Sequence, residues 1–413
     1  MRRAWPLLLV GLGCTPVGDQ TPRTVELSTI EECGTPTSLQ ADGSNVVMTT
    51  ARYRPVETDE AGGAVREDGA SRPGCVVQMS PGGSPEVIRG VGKGGRALDV
   101  QHAVFDDGSW HALTHHRDEA KQRLHVELLS GLGLDGTGLR GFEVNEAGVV
   151  RGADTRIEMT ETWSAVVMGS RRQGASCGNT ESQHGYRGWV YWFDRQDRTS
   201  DLEQGWSDWL APLDSTTVGE DLVLVGAVDR RHDVARADWR APVRVLRLGR
   251  DQGVRWETEL PSMDPGGSIG MSRGGPSVQL AAAGTRIYLA LDPLGEDPPS
   301  LASLNADTGK VEWLRSLPSV AVLDLRATAS RVEVLAVEYP DDGRRPGLTV
   351  TRVDRHGVLQ SHEREATLDL GPEMNVRKGA LGADGTIWFA ATRHVDDSDR
   401  GIQAVLGHVA GPR

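Results

Sequence analysis

A phrase that occurs twice in the chain constrains its fold more than any other feature. Residues 304–313 read LNADTGKVEW, residues 248–256 read LGRDQGVRW, and Leu-Pro follows each of them a few residues later. The two tryptophans, Trp256 and Trp313, lie 57 residues apart. Self-similarity at a fixed period indicates a repeat architecture. This period is too long for a helical hairpin, but it leaves room for a four-stranded sheet with its loops.

Composition and patterning extend this interpretation to the whole chain. The 413 residues accommodate seven such units, and 51 glycines and 21 prolines favour short strands joined by turns. Alternation of period 2 recurs between turn residues, and no long apolar stripe of helical period is present. We therefore predict an all-β fold, a single β-propeller of seven four-stranded blades, with six or eight blades as alternatives.

The last unit ends one strand short of a full blade. Residues 24–30 read TVELSTI and have the pattern of a strand. We predict that this N-terminal strand joins the last blade and closes the ring, which removes an open sheet edge.

The repeated phrase resembles the tryptophan-docking repeat of PQQ-like propellers. The matching positions are Asp307, Gly309 and Trp313, with a partial copy at Asp251, Gly253 and Trp256. The resemblance implies that Asp and Gly form the turn between outer strands and that Trp packs between neighbouring blades. That family includes quinone-cofactor dehydrogenases and non-catalytic lipoproteins such as the propeller subunit of the outer-membrane assembly machine. No cofactor-facing residue or axial calcium site can be mapped by position, so we favour the non-catalytic class without a cofactor.

The first residues have the order of a secretory leader. Arg2 and Arg3 precede a short apolar stretch that ends at Gly13-Cys14. The stretch is too short to span a bilayer. It resembles a bacterial lipoprotein leader, although Gly11 stands where the lipobox usually has Leu. We expect a signal peptide over 1–13, lipidation at Cys14, a tether over 14–23 and the propeller over 24–413. Ordinary cleavage and a retained anchor are the alternatives.

The leader determines the expected compartment and partners. By resemblance, Thr15 after the cysteine favours delivery to the outer membrane, on its periplasmic or cell-surface side. The formal charge of -13 argues against a grip on nucleic-acid phosphates. We expect an envelope protein or a glycan as partner, and membrane contact only through the N-terminal lipid.

The other cysteines then lie in an oxidising compartment, where one pair can close. Cys33 with Cys75 is our first choice, because both flank the first blade. Pairing of either one with Cys177 is the alternative.

Two segments contain candidate metal ligands. On a strand His111 and His115 share one face and His116 the other, so a third ligand would have to come from another blade. Asp396, Asp397 and Asp399 place oxygens at alternating positions, as a calcium loop does, but the run lacks the distal Glu of an EF-hand. We predict surface histidines and a solvated acidic loop, with metal binding as the lesser hypothesis for both.

Aromatic residues concentrate in the third unit, in a chain that is only 5% aromatic. We predict that Trp192 packs between blades. Trp206 and Trp209 lie in the polar stretch 205–209, GWSDW, and are the candidate exposed platform for a sugar or a partner peptide.

Two overlapping GxSxG patterns, at 266–270 and 270–274, match the nucleophile elbow of hydrolases. That chemistry requires a strand before and a helix after the serine, and the proline-containing flanks form neither. We predict a glycine-rich loop between blades and no catalytic residue.

These observations favour a non-catalytic, envelope-anchored propeller that acts as a binding scaffold. The alternatives are a propeller enzyme, either a quinoprotein-like dehydrogenase or a hydrolase, and a carbohydrate-binding propeller. An enzyme would show a convergent polar cluster at the central channel. A scaffold would show an apolar or aromatic patch on a face or rim.

Overall fold

The computed structural model describes residues 23–51, 56–58, 64–66, 74–89, 91–92, 96–97, 99–106, 109–118, 123–130, 140–144, 155–172, 185–194, 200–206, 210–228, 243–250, 253–260, 277–292, 298–318, 321–339, 345–369, 374–394 and 402–411. Every regular element in these ranges is a β-strand, which confirms the all-β prediction. None of these segments forms an apolar helix of the length that crossing a bilayer requires.

The strands of the N-terminal half are β1 (Val25–Ile30), β2 (Thr35–Asp42), β3 (Asn45–Ala51), β4 (Val56–Thr58), β5 (Ala64–Arg66), β6 (Cys75–Met79), β7 (Glu86–Arg89), β8 (Val91–Gly92), β9 (Arg96–Ala97), β10 (Asp99–Asp106), β11 (Ser109–Asp118), β12 (Arg123–Ser130), β13 (Arg140–Val144), β14 (Thr155–Met159), β15 (Trp163–Arg172), β16 (Gly185–Asp194) and β17 (Ser200–Trp206).

The strands of the C-terminal half are β18 (Leu210–Val218), β19 (Asp221–Val228), β20 (Val243–Gly249), β21 (Gly253–Leu260), β22 (Ser277–Ala283), β23 (Arg286–Asp292), β24 (Ser300–Asn305), β25 (Val311–Ser316), β26 (Ala321–Ala327), β27 (Arg331–Glu338), β28 (Gly347–Asp354), β29 (Leu359–Thr367), β30 (Met374–Leu381), β31 (Ile387–His394) and β32 (Ile402–Val409).

Hydrogen bonding groups the strands into seven four-stranded sheets and two two-stranded ribbons. The sheets are β2-β3-β6-β7, β10 to β13, β14 to β17, β18 to β21, β22 to β25, β26 to β29, and β30-β31-β32-β1. The ribbons are β4-β5, inserted within the first sheet, and β8-β9, which follows it. Neighbouring strands within each sheet are antiparallel, as short hairpin connections require.

The sheets follow one another around an axis. We call β2, β10, β14, β18, β22, β26 and β30 the inner strands, because each is the first strand of its sheet and contacts the inner strand of the next sheet. The series returns from β30 to β2, so the ring is closed.

The N-terminal strand completes the last sheet, as predicted. β1 pairs antiparallel with β32, from Val25 opposite Val409 to Ile30 opposite Ala404. Arg23 fixes the entry to this strand, since its guanidinium forms an ion pair with Glu365 and donates a hydrogen bond to the carbonyl of Ala410 at 2.9 Å.

The core lies between the sheets. The second strand of a sheet has a neighbouring sheet on each side, so both of its faces are buried. β23 and β27 are accordingly almost continuous apolar runs, and Val332 to Val337 are all buried. The outermost strand β21 instead alternates and exposes Glu257 and Glu259. The position of a strand in its sheet therefore explains whether buried and exposed residues alternate along it.

A disulfide joins Cys33 to Cys75, the pairing that the sequence analysis placed first. Their Cα atoms lie 5.7 Å apart, and both residues are completely buried. The bond connects the segment after β1 to the third strand of the first sheet, and it closes a loop spanning 42 residues.

Candidate functional site

The repeated phrase forms a contact between neighbouring sheets. Trp256 in β21 donates a hydrogen bond from Nε1 to the carbonyl of Ala306 at 2.8 Å, within the turn that joins β24 to β25. Gly309 lies under its indole with φ of +68°, and a Cβ there would lie 2.5 Å from the ring. The predicted roles of Trp256 and Gly309 therefore agree with the geometry.

The next sheet repeats the contact. Trp313 donates from Nε1 to the carbonyl of Arg355 at 3.0 Å, in the turn between β28 and β29. Gly357 lies under this indole, as Gly309 lies under Trp256. Trp163, which the sequence analysis did not single out, makes a related contact through Nε1 to the carbonyl of Glu220 at 2.9 Å.

The aspartate of the phrase has a different role from the one the resemblance implies. The Asn305 side chain caps the turn, because its Oδ1 accepts from the backbone N–H groups of Asp307 and Thr308 at 3.1 and 3.0 Å. Asp307 is exposed and lies 3.2 Å from Arg247. Gly253 begins β21 with φ of +68°, and Asp251 lies outside the described residues.

The other predicted site residues contribute little to a described site. His111 is half-buried in β11, and His115 and Trp206 are described only as strand residues of β11 and β17. Outside the described residues lie Cys14, Cys177, Trp209, Asp396, Asp397, Asp399, both GxSxG patterns, the predicted signal peptide and all of the tether but Arg23. Within the described ranges, no three His, Cys, Asp or Glu side chains form a group that could hold a metal.

Large apolar side chains are scattered over the described surface. Leu27, Val254, Tyr339, Val358 and Leu359 are exposed, and only the last two are adjacent in sequence. Isolated exposed residues of this kind are normal for a globular protein. These five residues by themselves do not establish the apolar patch expected of a scaffold.

A polar cavity lies on the axis instead. Its volume is about 470 Å³, and residues from every inner strand line it. The charged and titratable members are His102, Arg156, Glu158, Asp214, Asp324 and Lys378. The described lining also includes three glutamines, Gln40, Gln101 and Gln279, and it contains no Phe, Tyr or Trp.

β-Bulges place many of these side chains. The register between the inner strand and its neighbour shifts by one residue in β2, β10, β18, β26 and β30. The residues that follow these shifts are Ser38, His102, Asp214, Asp324 and Lys378, and all five line the cavity. A bulge re-aims the side chain beside it, so a shared backbone irregularity brings polar groups to the axis.

Asp214 is held by charge and by the backbone. Arg156 Nη1 lies 2.7 Å from its Oδ1, and the N–H of Leu280 in the next sheet donates to its Oδ2 at 2.6 Å. Burial raises the pKa of Asp214, and Arg156 and the backbone hydrogen bonds oppose that rise. The Asp214 carboxylate in β18 thus connects its own sheet to the sheets on both sides of it, at the cavity wall.

Glu158 is a second buried carboxyl whose pKa is strongly raised. Burial raises its pKa to about 7, and the neighbouring charge of Asp214 adds to the effect. Ser215 Oγ donates to Glu158 Oε1 at 2.6 Å and opposes the rise, as Arg156 does. Both the protonated and the ionised form of Glu158 are therefore populated near neutral pH.

Asp324 behaves in a similar way. Its Oδ2 accepts from the N–H of Leu381 at 2.7 Å, and burial raises its pKa to about 6. Repulsion from Asp214 contributes to this shift, so carboxyls on different inner strands influence each other across the axis.

His102 is neutral. Burial lowers its pKa to about 3, and the positive charges of Arg156 and Lys378 contribute. Its Nδ1 accepts from the N–H of Ile157 at 3.3 Å, so the proton is on Nε2. Its Nε2 lies 3.2 Å from the Gln40 amide nitrogen, and an Nε2–H donor requires this amide to be turned so that its oxygen accepts. The inner strands β2 and β10 thus line the cavity with uncharged hydrogen-bonding groups.

The fold and this site together define a β-propeller with a polar cavity on its axis. Radial four-stranded sheets around a closed ring are the defining arrangement of that class.

Comparison with known proteins found similar chains among solved structures. No family model and no curated protein matches the chain. Similar solved structures include BamB from Moraxella catarrhalis, with 11% identity, a TM-score of 0.42 and coverage of 90% of this chain and 83% of that chain. The β-propeller domain of the Trilobed protease from Pyrococcus furiosus has 10% identity and a TM-score of 0.46, covering 92% of this chain and 94% of its own. The Dos1 propeller has 9% identity and a TM-score of 0.47, with 95% of each chain covered. Likeness at this level carries no argument about function.

The sequence analysis missed the axial residues, although a local signal was present. Asp324 follows three apolar residues and precedes a leucine in AVLDLRA, and Asp214 is the one charged residue of LAPLDSTTV. A charged residue in a strand that packs on both sides must have a partner or a cavity.

Proposed function

We propose that this protein is a binding module that takes up a small polar ligand in the cavity on its axis. The observation that carries the proposal is the convergence of polar side chains from every inner strand on one space of about 470 Å³. Pockets for small molecules have volumes of about 300–1,000 Å³ and a few well-placed polar groups. Recognition then takes place at the axis, in contrast to the rim patch expected of a scaffold.

We propose in addition that each four-stranded sheet acts as one blade, which makes seven blades, and that the repeat is of the PQQ-like type. The docking of Trp256 and Trp313 on the turns of the following sheets supports that type.

We propose an envelope address on the sequence pattern of residues 1–14. In this proposal Cys14 carries lipid at the outer membrane, no cofactor is bound, and an envelope protein or a glycan is the partner of the outer surface. The Cys33–Cys75 disulfide supports an oxidising compartment.

Catalysis at the same cavity is the second candidate function. Glu158 and Asp214 influence each other, and the pKa of about 7 at Glu158 suits a general acid or base near neutral pH. A reaction would require a substrate bound beside these carboxyls, so binding at the axis is the prior condition for both functions.

The test is a thermal-shift screen of small polar compounds against the wild type and the Asp324→Asn variant. We expect at least one compound to raise the Tm of the wild type and to lose most of that effect in the variant. Asn keeps an oxygen for the N–H of Leu381, so the fold should persist. Asp369→Asn is the matched control, because Asp369 is exposed and pairs only with exposed Arg345 among the contacts described. Ligands that act equally on Asp324→Asn and wild type would contradict an axial site.

A further inference from the structure

The cavity contains more acidic side chains than basic ones. Glu158, Asp214 and Asp324 supply three carboxyls against the two cations of Arg156 and Lys378. Arg156 already pairs with Asp214 at 2.7 Å. His102 adds no positive charge, because it is neutral at any physiological pH. When all three carboxyls are ionised, the cavity therefore has a net charge of -1.

The carboxyls show the effect of this imbalance. Burial is the main cause of the raised pKa of Glu158 and of Asp324, and Asp214 raises both. The groups that face Glu158 are Ser215 and Asp214 from β18 and Arg156 from its own strand. The pKa of Asp324 is raised by Asp214. It is lowered by the charge of Arg326 and by backbone hydrogen bonds from Leu381 and Leu325. Arg156 and Arg326 offset only part of the cost of burial, so an added positive charge stabilises the ionised forms of both carboxyls.

The uncharged lining suits a cation that donates hydrogen bonds. Gln101 and Gln279 offer amide oxygens, and Ser38 and Thr216 offer hydroxyl oxygens. A quaternary ammonium needs aromatic faces, which the described lining does not provide. A primary ammonium has three donors for such acceptors.

We infer that the axial cavity binds a small organic cation with a primary ammonium group, and that binding releases protons from the cavity carboxyls. This inference rests on the proposed function, because it specifies the ligand of the same site. Polyhydroxylated amines such as an amino sugar match both the carboxyls and the amide and hydroxyl oxygens. The volume of about 470 Å³ accommodates a molecule of that size.

The inference predicts the direction of the pH dependence. At pH 5 Glu158 and Asp324 are mostly protonated, so Arg156 and Lys378 make the cavity net positive and a cation is repelled. At pH 8 both carboxyls are ionised and the cation is attracted. Linkage gives up to about a tenfold change in affinity per pH unit for each proton released. The affinity for an amine should therefore rise at least about tenfold from pH 5 to pH 8.

The experiment is calorimetric titration with matched pairs of probes. Glucosamine is compared with glucose, putrescine with 1,4-butanediol, and lactate serves as the anion. Affinities are measured from pH 5 to pH 8, and the heats of binding are compared at pH 7 in phosphate and in MOPS. We expect the amines to bind more tightly than their neutral counterparts, with a heat that depends on the buffer because protons are released. Glu158→Gln should weaken amine binding and flatten its pH dependence, and Asp369→Asn should leave both unchanged.

Each other outcome decides between the two proposals. Glucose or lactate binding as tightly as glucosamine, or amine binding without pH dependence, would overturn the inference. If the ligand that bound in either case lost its affinity in Asp324→Asn, the proposal of an axial binding site would still be supported. Failure of every probe in this panel and of the wider thermal-shift screen would overturn both.

Discussion

At the scale of single residues, close contact between backbone and indole decides which side chain is allowed. Gly309 must be glycine for two reasons, a left-handed φ of +68° and the ring of Trp256 directly above it. Gly284 has a similar φ of +60°, but nothing lies within 4 Å of the position where its Cβ would be. A substitution at Gly284 therefore introduces backbone strain alone, whereas one at Gly309 adds steric overlap with the indole.

Gly309→Ala should destabilise the protein more than Gly284→Ala. A left-handed alanine costs about 1–2 kcal/mol at either site. Displacement of the Trp256 ring should add about 1–3 kcal/mol at Gly309. Urea unfolding of the two variants measures the difference, and equal losses of stability would contradict the docking role of the turn.

Glu158 makes stability depend on pH in a direction fixed by its pKa. The folded protein holds this proton up to about pH 7, whereas the usual value is 4.5. Between these values the unfolded chain releases the proton first, so folding loses stability as the pH rises through this window. Relative to Glu158→Gln, the wild type should lose about 1–3 kcal/mol between pH 4.5 and pH 8. The measurement is the unfolding free energy of both proteins against pH, and parallel curves would refute the shift.

At the scale of elements, the N-terminal strand β1 is held from two sides. Its backbone pairs with β32, and Arg23 in front of it forms an ion pair with Glu365 and a hydrogen bond to Ala410. Glu365 is buried and also pairs with Arg352 at 3.0 Å. The entry to the strand is thus tied to the sixth sheet as well as to the seventh.

Arg23→Ala should loosen β1 selectively. The loss of a charge-assisted pair at a buried carboxylate is worth about 1–2 kcal/mol, so the amides of residues 25–30 should exchange roughly 5–30 times faster. Hydrogen exchange by mass spectrometry measures this, with Arg345→Ala at an exposed ion pair as control. Unchanged exchange in β1 would show that strand pairing alone holds it.

At the scale of the whole molecule, local sequence was enough for the sheets but not for the site. The spacing of Trp256 and Trp313 and the short final unit predicted a ring closed by the N-terminal strand, because period and strand pattern are local signals. The axial cavity is different, since its residues come from inner strands spread between positions 36 and 379. No spacing rule links His102 to Asp324, and the bulges that re-aim both leave no fixed pattern in the sequence. The cysteine pairing likewise depended on the distance between the segment after β1 and strand β6, which left the Cys177 alternatives open in the sequence.

The pairing of Val25 with Val409 has a consequence for the order of events in biogenesis. The last sheet lacks its fourth strand until β1 pairs with β32, near the other end of the chain. Until then the ring is not closed, and the last sheet keeps an unpaired edge. Loop-closure entropy is largest for such a contact. Pairing of β1 with β32 should therefore be the last step of folding. A chain truncated before residue 402 lacks β32, so its ring should remain open, prone to association and exposed to proteolysis.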